Sequence, residues 1–374
     1  MRTNRTLQTI CLLCWTLMSP SVALSGPTSA PTSQPSAKLQ SWLQTFATGK
    51  GKHWQDAAQQ LMAQKEKAAA IYPQLRKLLE SPSPKVRQLT VVILGTIGPK
   101  AASSAKSLME LWGDADTETR RYILFTLSTF GPKTPGLSGF IQKQSKTQDA
   151  LILASLAGAI GRLQLPTKHA LPILLRILKH NNGYTRQSAI RAIKKYGPKA
   201  TAAIPVLIEH LADPRSFGRL LAAETLASIG PAARPHLLRA LQYKKAKTRM
   251  NAAYALSLLQ PYTQKTTKVL FQAILRETRP KVLSSMIQAL GKMKTQAAPY
   301  ANQLLPFLRH KDRGIQLKTI IALGHIQPQG PSFQAHLQAN KTHPDFFIRS
   351  HIKQLLRRFP STRPASSPSS RPTR

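Results

Sequence analysis

Asn182-Gly-Tyr-Thr-Arg186-Gln-Ser-Ala189-Ile-Arg-Ala-Ile193-Lys-Lys-Tyr196-Gly197-Pro198 is the stretch on which the reading of this chain turns. Ala189, Ile193 and Tyr196 fall at i, i+4 and i+7, which puts them on one stripe of a helix. Asn182 is suited to accept from the free N–H groups of the first turn. Gly197 tolerates the left-handed conformation that ends a helix, and Pro198 just beyond cannot continue it. A second amphipathic run, Ile204-Pro-Val-Leu-Ile208 to Leu211, follows at once. The stretch therefore predicts helix, short turn, helix.

The pattern returns along the chain. One line of positions, Gly98, Gly131, Gly161, Gly197, Gly230, Gln260, Lys294, Gln327 and Pro360, recurs at intervals of 33, 30, 36, 33, 30, 34, 33 and 33. The residue before each is large and apolar, from Ile97 and Phe130 to Ile326 and Phe359. Eleven residues before the line stand Arg87, Arg120, Arg186, Arg219, Arg249 and Arg349, with Ala150, Leu283 and Gln316 in the other units. Ser83, Asp116, Asn182, Asp312 and Asp345 are read as the helix caps, some of them bonding to the arginines across neighbouring units. A fixed period of this length is the signature of stacked helical repeats, in which each unit buries its apolar face only against the next.

The Asp, Val-Arg, Ala-Leu and Ile-Gly-Pro positions, as in Val86-Arg87, Ala255-Leu256 and Ile97-Gly98-Pro99, resemble HEAT repeats, in particular the shorter HEAT-like repeats of the phycobilin lyase type. The resemblance covers residues 83–360. It implies an all-α, right-handed α-solenoid of about nine to ten helix pairs, with a degenerate pair at 39–82 capping its N-terminal end. It implies an adaptor, and it implies that the six recurrent arginines are structural and tie adjacent units together. No lyase activity is implied, because nothing matches a chromophore-attachment cysteine.

Lys and Arg number 54 against 14 Asp and Glu, a net charge of +40 with a pI near 11.1. Internal ion pairs cannot neutralise such a surplus, so most of it is solvated and projects a field that attracts polyanions. Arg2 and Arg5, an apolar run from Leu7 to Met18 and the small residues up to Ser25 read as a signal peptide over 1–25, cleaved after Ala23 or Ser25, with export to the periplasm or the medium. The apolar run is short for a membrane span, which leaves an uncleaved anchor as the alternative. Cys11 and Cys14 are the only cysteines and lie inside that run, so the processed chain has no disulfide or thiolate metal site. Pro, Ser and Thr at 26–38 and again, with arginines, at 361–374 predict a flexible linker and tail.

The sequence contains no nucleophile elbow, zinc-protease helix or phosphate loop. His310 and His343 lie one repeat apart but lack carboxylate or thiolate partners in register, so no metal, cofactor, small-molecule substrate or catalytic residue is expected. The positive charge is concentrated instead. Lys244, Lys245 and Lys247 are followed one period on by Arg276, Arg279 and Lys281, and then by Arg309, Lys311 and Arg313. Equivalent loops of a solenoid lie side by side, so the three clusters are expected to form one ridge. These features predict a monomeric, non-enzymatic scaffold holding a protein partner on its concave face. The ridge suits an acidic protein, anionic glycan or lipid head groups. Sequence-nonspecific nucleic-acid binding is the second reading, and a lyase-like enzyme accessory the third.

Overall fold

The computed structural model describes residues 36–358 apart from 52, 215 and 328–330. The signal peptide with Cys11 and Cys14, most of the linker, Pro360 and the basic tail lie outside the described residues.

Two rows of helices run the length of the array. After a leading helix, α1 (Ala37–Ala47), the chain alternates α2 (Trp54–Ala63), α3 (Tyr72–Lys77), α4 (Pro84–Ile97), α5 (Ala105–Leu111), α6 (Thr117–Phe130), α7 (Leu137–Gln144), α8 (Ala150–Leu163), α9 (Thr167–Leu178), α10 (Gly183–Tyr196) and α11 (Ile204–His210). It continues through α12 (Ser216–Ile229), α13 (Arg234–Ala240), α14 (Ala246–Leu258), α15 (Gln264–Arg276), α16 (Pro280–Lys292), α17 (Ala301–Leu304), α18 (Arg313–Ile326), α19 (Pro331–Ala339) and α20 (Phe346–Arg358). The described residues contain no strand, and none of their helices is long and apolar enough to cross a membrane.

From α4 onward, each even-numbered helix packs on the next, giving one continuous stack to α20. The sequence stripe is core: Leu94, Leu127, Ile193, Leu226, Leu256, Leu290 and Leu323 are almost completely buried. Each such side chain stabilises the stack by roughly 1.5–3 kcal/mol. The stack is close enough at two places to require glycine. A Cβ on Gly161 would stand 2.9 Å from the Cα of Ala192, and one on Gly291 would stand 2.7 Å from the Cα of Ala322.

That close approach corrects the repeat register. Gly161 does not end α8; the helix runs on to Leu163, and Gln164 takes the left-handed cap at φ +51. The left-handed residues after the long helices are Lys65, Gly98, Gly131, Gln164, Gly197, Gly230, Lys294 and Gln327. Their spacing is 33 from Lys65 through Gly230 and again from Lys294 to Gln327, and the irregular 30 and 36 around Gly161 disappear. The glycine had drawn the line toward itself although its task is to let α10 approach α8. Lys65 also brings 54–80 into register as a unit of its own, so the region expected to be a degenerate cap is α1, which starts at Ala37 within the expected linker, followed by one further repeat.

Candidate polyanion-binding rim

The loops that enter the even-numbered helices are built alike, and the recurrent arginines build them. Arg87 donates to the carbonyls of Ser81 and Pro82, Arg186 to His180 and Asn181, Arg219 to Asp213 and Pro214, and Arg249 to Tyr243 and Lys244. Arg120 reaches Trp112 and Gly113, and Arg349 reaches His343 and Pro344. The guanidinium fork thus closes the end of one unit onto the first turn of the next. Gln316 stands where an arginine is missing and donates to His310 O at 2.7 Å.

Asp116, Asn182, Asp312 and Asp345 accept from the first-turn N–H groups of α6, α10, α18 and α20. Ser83 makes no such bond. Asp149 does, to Leu151 and Ile152 N–H at 2.8 and 3.1 Å; it escaped the sequence reading because the line through Gly161 put the unit three residues out of phase.

A second acceptor lies two residues before six of the cap positions. The cap residue's N–H is taken by Ser81 Oγ, Thr147 Oγ1, His180 Nδ1, Glu277 Oε1, His310 Nδ1 and His343 Nδ1. His310 and His343 are therefore loop acceptors. The available signal was the shared spacing of His310 to Asp312 and His343 to Asp345. Among the described residues no group of three or more His, Cys, Asp or Glu is arranged to hold a metal.

The same acceptor position supplies the links between loops. Arg186 Nη2 meets Asp213 Oδ2 at 3.0 Å, and Arg249 takes Glu277 with Nε to Oε2 at 2.7 Å and Nη2 to Oε1 at 3.0 Å. Arg186 and Arg249 thus reach the next unit through this acid, not through the cap where the pairing was expected. Arg313 pairs with Asp345 across one further loop. Burial pushes the Glu277 carboxyl up, but the Arg249 guanidinium and the N–H groups of Arg279 and Thr278 outweigh it and hold the acid below its ordinary range. Asp345 is likewise held down, chiefly by its hydrogen bond from Arg313.

The nine ridge cations are exposed and sit on three consecutive loops of this type. Lys244, Lys245 and Lys247 lead into α14, Arg276, Arg279 and Lys281 into α16, and Arg309, Lys311 and Arg313 into α18, and these three helices stack in succession. Lys245 and Arg279 occupy the cap position itself and make no side-chain cap bond. Positive charge there opposes the helix dipole, so these two loops forgo the stabilisation that Asp116 or Asp312 gives elsewhere.

Counter-charge is scarce: the only acids between residues 225 and 374 are Glu277, Asp312 and Asp345. Glu277 is held by Arg249, Asp312 caps α18, and Asp345 caps α20 and pairs with Arg313. Between the first two loops opens a cleft of about 330 Å³, lined by Tyr243, Lys244, Arg276, Val269 and the Arg249–Glu277 pair. Clusters on loops about 8–10 Å apart lie near the screening length at physiological salt and act together.

Residues 137–227 match the family model of HEAT repeats. No curated protein sequence matches. Among solved structures, Kap95 in its complex with Nup1 is similar at 13% identity and a TM-score of 0.63, over 85% of this chain and 50% of that one. Kap121p gives 14% identity and a TM-score of 0.61 over 86% and 40%. This chain spans half or less of each of these two longer chains. The phycocyanin lyase complex CpcE–CpcF of Nostoc sp. matches 41% of this chain and 98% of that one at 20% identity, with a TM-score of only 0.37. Identities this low speak for fold alone. The family match is confined to 137–227, and the 33-residue stacking and the arginine-closed loops continue the same build on either side of that segment.

Proposed function

We propose that this protein is an exported scaffold that holds a protein partner along its helical stack and uses the loops entering α14, α16 and α18 to dock on an acidic surface. One observation carries the reading: nine exposed cations stand on three stacked loops where every nearby carboxylate is already committed to the fold. Cations kept at two cap positions, where an acid would stabilise the helix, support a use for that charge outside the fold. Kap95 in complex with Nup1 offers a precedent, by fold, for protein binding on such an array.

The test is a titration of the full chain with polyglutamate, anionic vesicles and oligo-dT across salt, repeated with Lys245→Glu/Arg279→Glu/Lys311→Glu. The expected result is salt-sensitive binding to the acidic polypeptide or the vesicles, lost in the triple variant. Tighter binding to oligo-dT, with the salt slope falling by about 2 in the triple variant, supports the nucleic-acid reading instead. Fractionation of the native host tests export, and a chain found wholly with cytoplasmic markers removes that part.

A further inference from the structure

Apolar exposure on this protein is ordered. At the second position of α8, α10 and α12 stand Leu151, Tyr184 and Phe217, exposed by 44%, 41% and 52%. The same position of α14 and α16 carries Lys247 and Lys281. These five helices stack in succession, so the side chains form one row, apolar over three units and cationic over the next two. Leu220, 44% exposed and one turn beyond Phe217, widens the apolar part. The Arg191 guanidinium lies 5.3 Å from the Phe217 ring centre and steadies it from the neighbouring helix. The fold does not demand apolar residues here, because the same position is Lys85 in α4 and Glu118 in α6.

We propose that this row is the docking track for an extended acidic polypeptide segment, whose apolar anchors sit over α8, α10 and α12 and whose carboxylates sit over α14 and α16. The inference rests on the scaffold reading and adds the chemistry of the partner. Charge complementarity sets the acidic half: Lys247 and Lys281 are flanked by Lys244, Lys245, Arg276 and Arg279, while Glu277 is occupied by Arg249. Geometry sets the extended form. Packed helices stand about 8–10 Å apart, and a polyproline-II segment returns a side chain to one face every third residue, about 9 Å along. Five positions span about 32–40 Å, which takes roughly 10–13 residues of such a chain. Segregation of apolar from cationic positions selects polypeptide over single-stranded nucleic acid, which needs stacking faces interleaved with phosphate contacts along one length. Leu151 and Leu220 offer no such face.

The experiment is fluorescence polarisation of the full chain with labelled twelve-residue peptides. One pair carries Trp, Phe and Leu at every third position of a seven-residue part and glutamates in the remaining five, in both chain directions. Controls are the same composition interleaved, an all-glutamate peptide and oligo-dT. We expect one segregated peptide to bind about tenfold more tightly than the interleaved one, an advantage of the size that aromatic anchors give. Tyr184→Ala/Phe217→Ala should erase that advantage without changing all-glutamate binding, and Lys247→Glu/Lys281→Glu should weaken every acidic peptide. Both pairs are exposed, so unchanged circular dichroism separates contact from misfolding. Equal binding of segregated and interleaved peptides overturns the proposal, as does oligo-dT binding that is tightest and sensitive to Tyr184→Ala/Phe217→Ala. If the all-glutamate peptide still binds in either case, the scaffold reading survives; if no acidic peptide binds, both readings fall.

Discussion

Arg249 holds Glu277 through two parallel hydrogen bonds of 2.7 and 3.0 Å, and with its remaining donors closes the loop at Tyr243 and Lys244. One side chain thereby fastens the ends of two consecutive units beside the cleft. Glu277 is only 3% exposed in this pair, so removing its partner strands a charge with little water around it.

Arg249→Ala is accordingly expected to destabilise the chain by about 2–3 kcal/mol, below the roughly 3–5 of a fully buried pair because Arg249 keeps a solvent edge. Glu277→Gln, which retains an acceptor for the Arg279 N–H, is expected to cost less. Urea unfolding of both variants checks the order, and a neutral Arg249→Ala would show that the loops are held by the backbone alone.

Lys245→Asp and Arg279→Asp are expected to move stability and binding in opposite directions. Each supplies the missing cap of α14 or α16 and should raise stability by about 0.5–2 kcal/mol. Each also removes a ridge cation and should weaken polyanion binding. Thermal melts paired with the polyglutamate titration read both effects, and a stabilised variant that binds as before would separate these residues from any partner.

Gly291→Val tests the close approach of α16 and α18. Even a Cβ would stand 2.7 Å from Ala322 Cα, and the branched side chain forces the helices apart. The expected loss is about 1–3 kcal/mol or more, while Gly139→Ala in α7, where nothing lies within 4 Å, should not lower the midpoint and should raise stability by about 0.4–1 kcal/mol.

Acidification should destabilise the chain in two stages. Burial, and then the Arg186 charge, push the His210 imidazole below its ordinary 6.5 against the opposing pull of Asp213. The unfolded chain then takes the proton first, so this stability is complete above 6.5 and falls as pH drops through 6.5 toward the depressed folded value. Glu277 is held below its ordinary 4.5, so its share is complete above 4.5 and is lost as pH falls from there through its folded value. Melting midpoints between pH 7.5 and 3.5 should show the first stage flattened in His210→Gln and the second in Glu277→Gln.

Helix type, stripe and most caps were legible because 3.6-residue periodicity needs only side-chain chemistry in order along the chain. The register at Gly161 was not, because one glycine can end a helix or admit a neighbour, and only the position of Ala192 decides which. Lys65 and Gln164 hold left-handed caps without being glycine and were missed, whereas Lys294 and Gln327, equally not glycine, were placed by the period alone. The ridge residues were visible as charge runs in register. The apolar row of Leu151, Tyr184 and Phe217 was not, because Leu151 falls into line with the others only when the unit is counted to Gln164.

The commitment of Glu277, Asp312 and Asp345 to the architecture leaves a lopsided tolerance to substitution. Over the C-terminal third, trading away an acid breaks a turn, whereas trading away an exposed lysine alters only the surrounding field. A saturation scan scored for folding should pick out the few negative residues and pass over the many positive ones. Scored for partner capture, it should do the reverse.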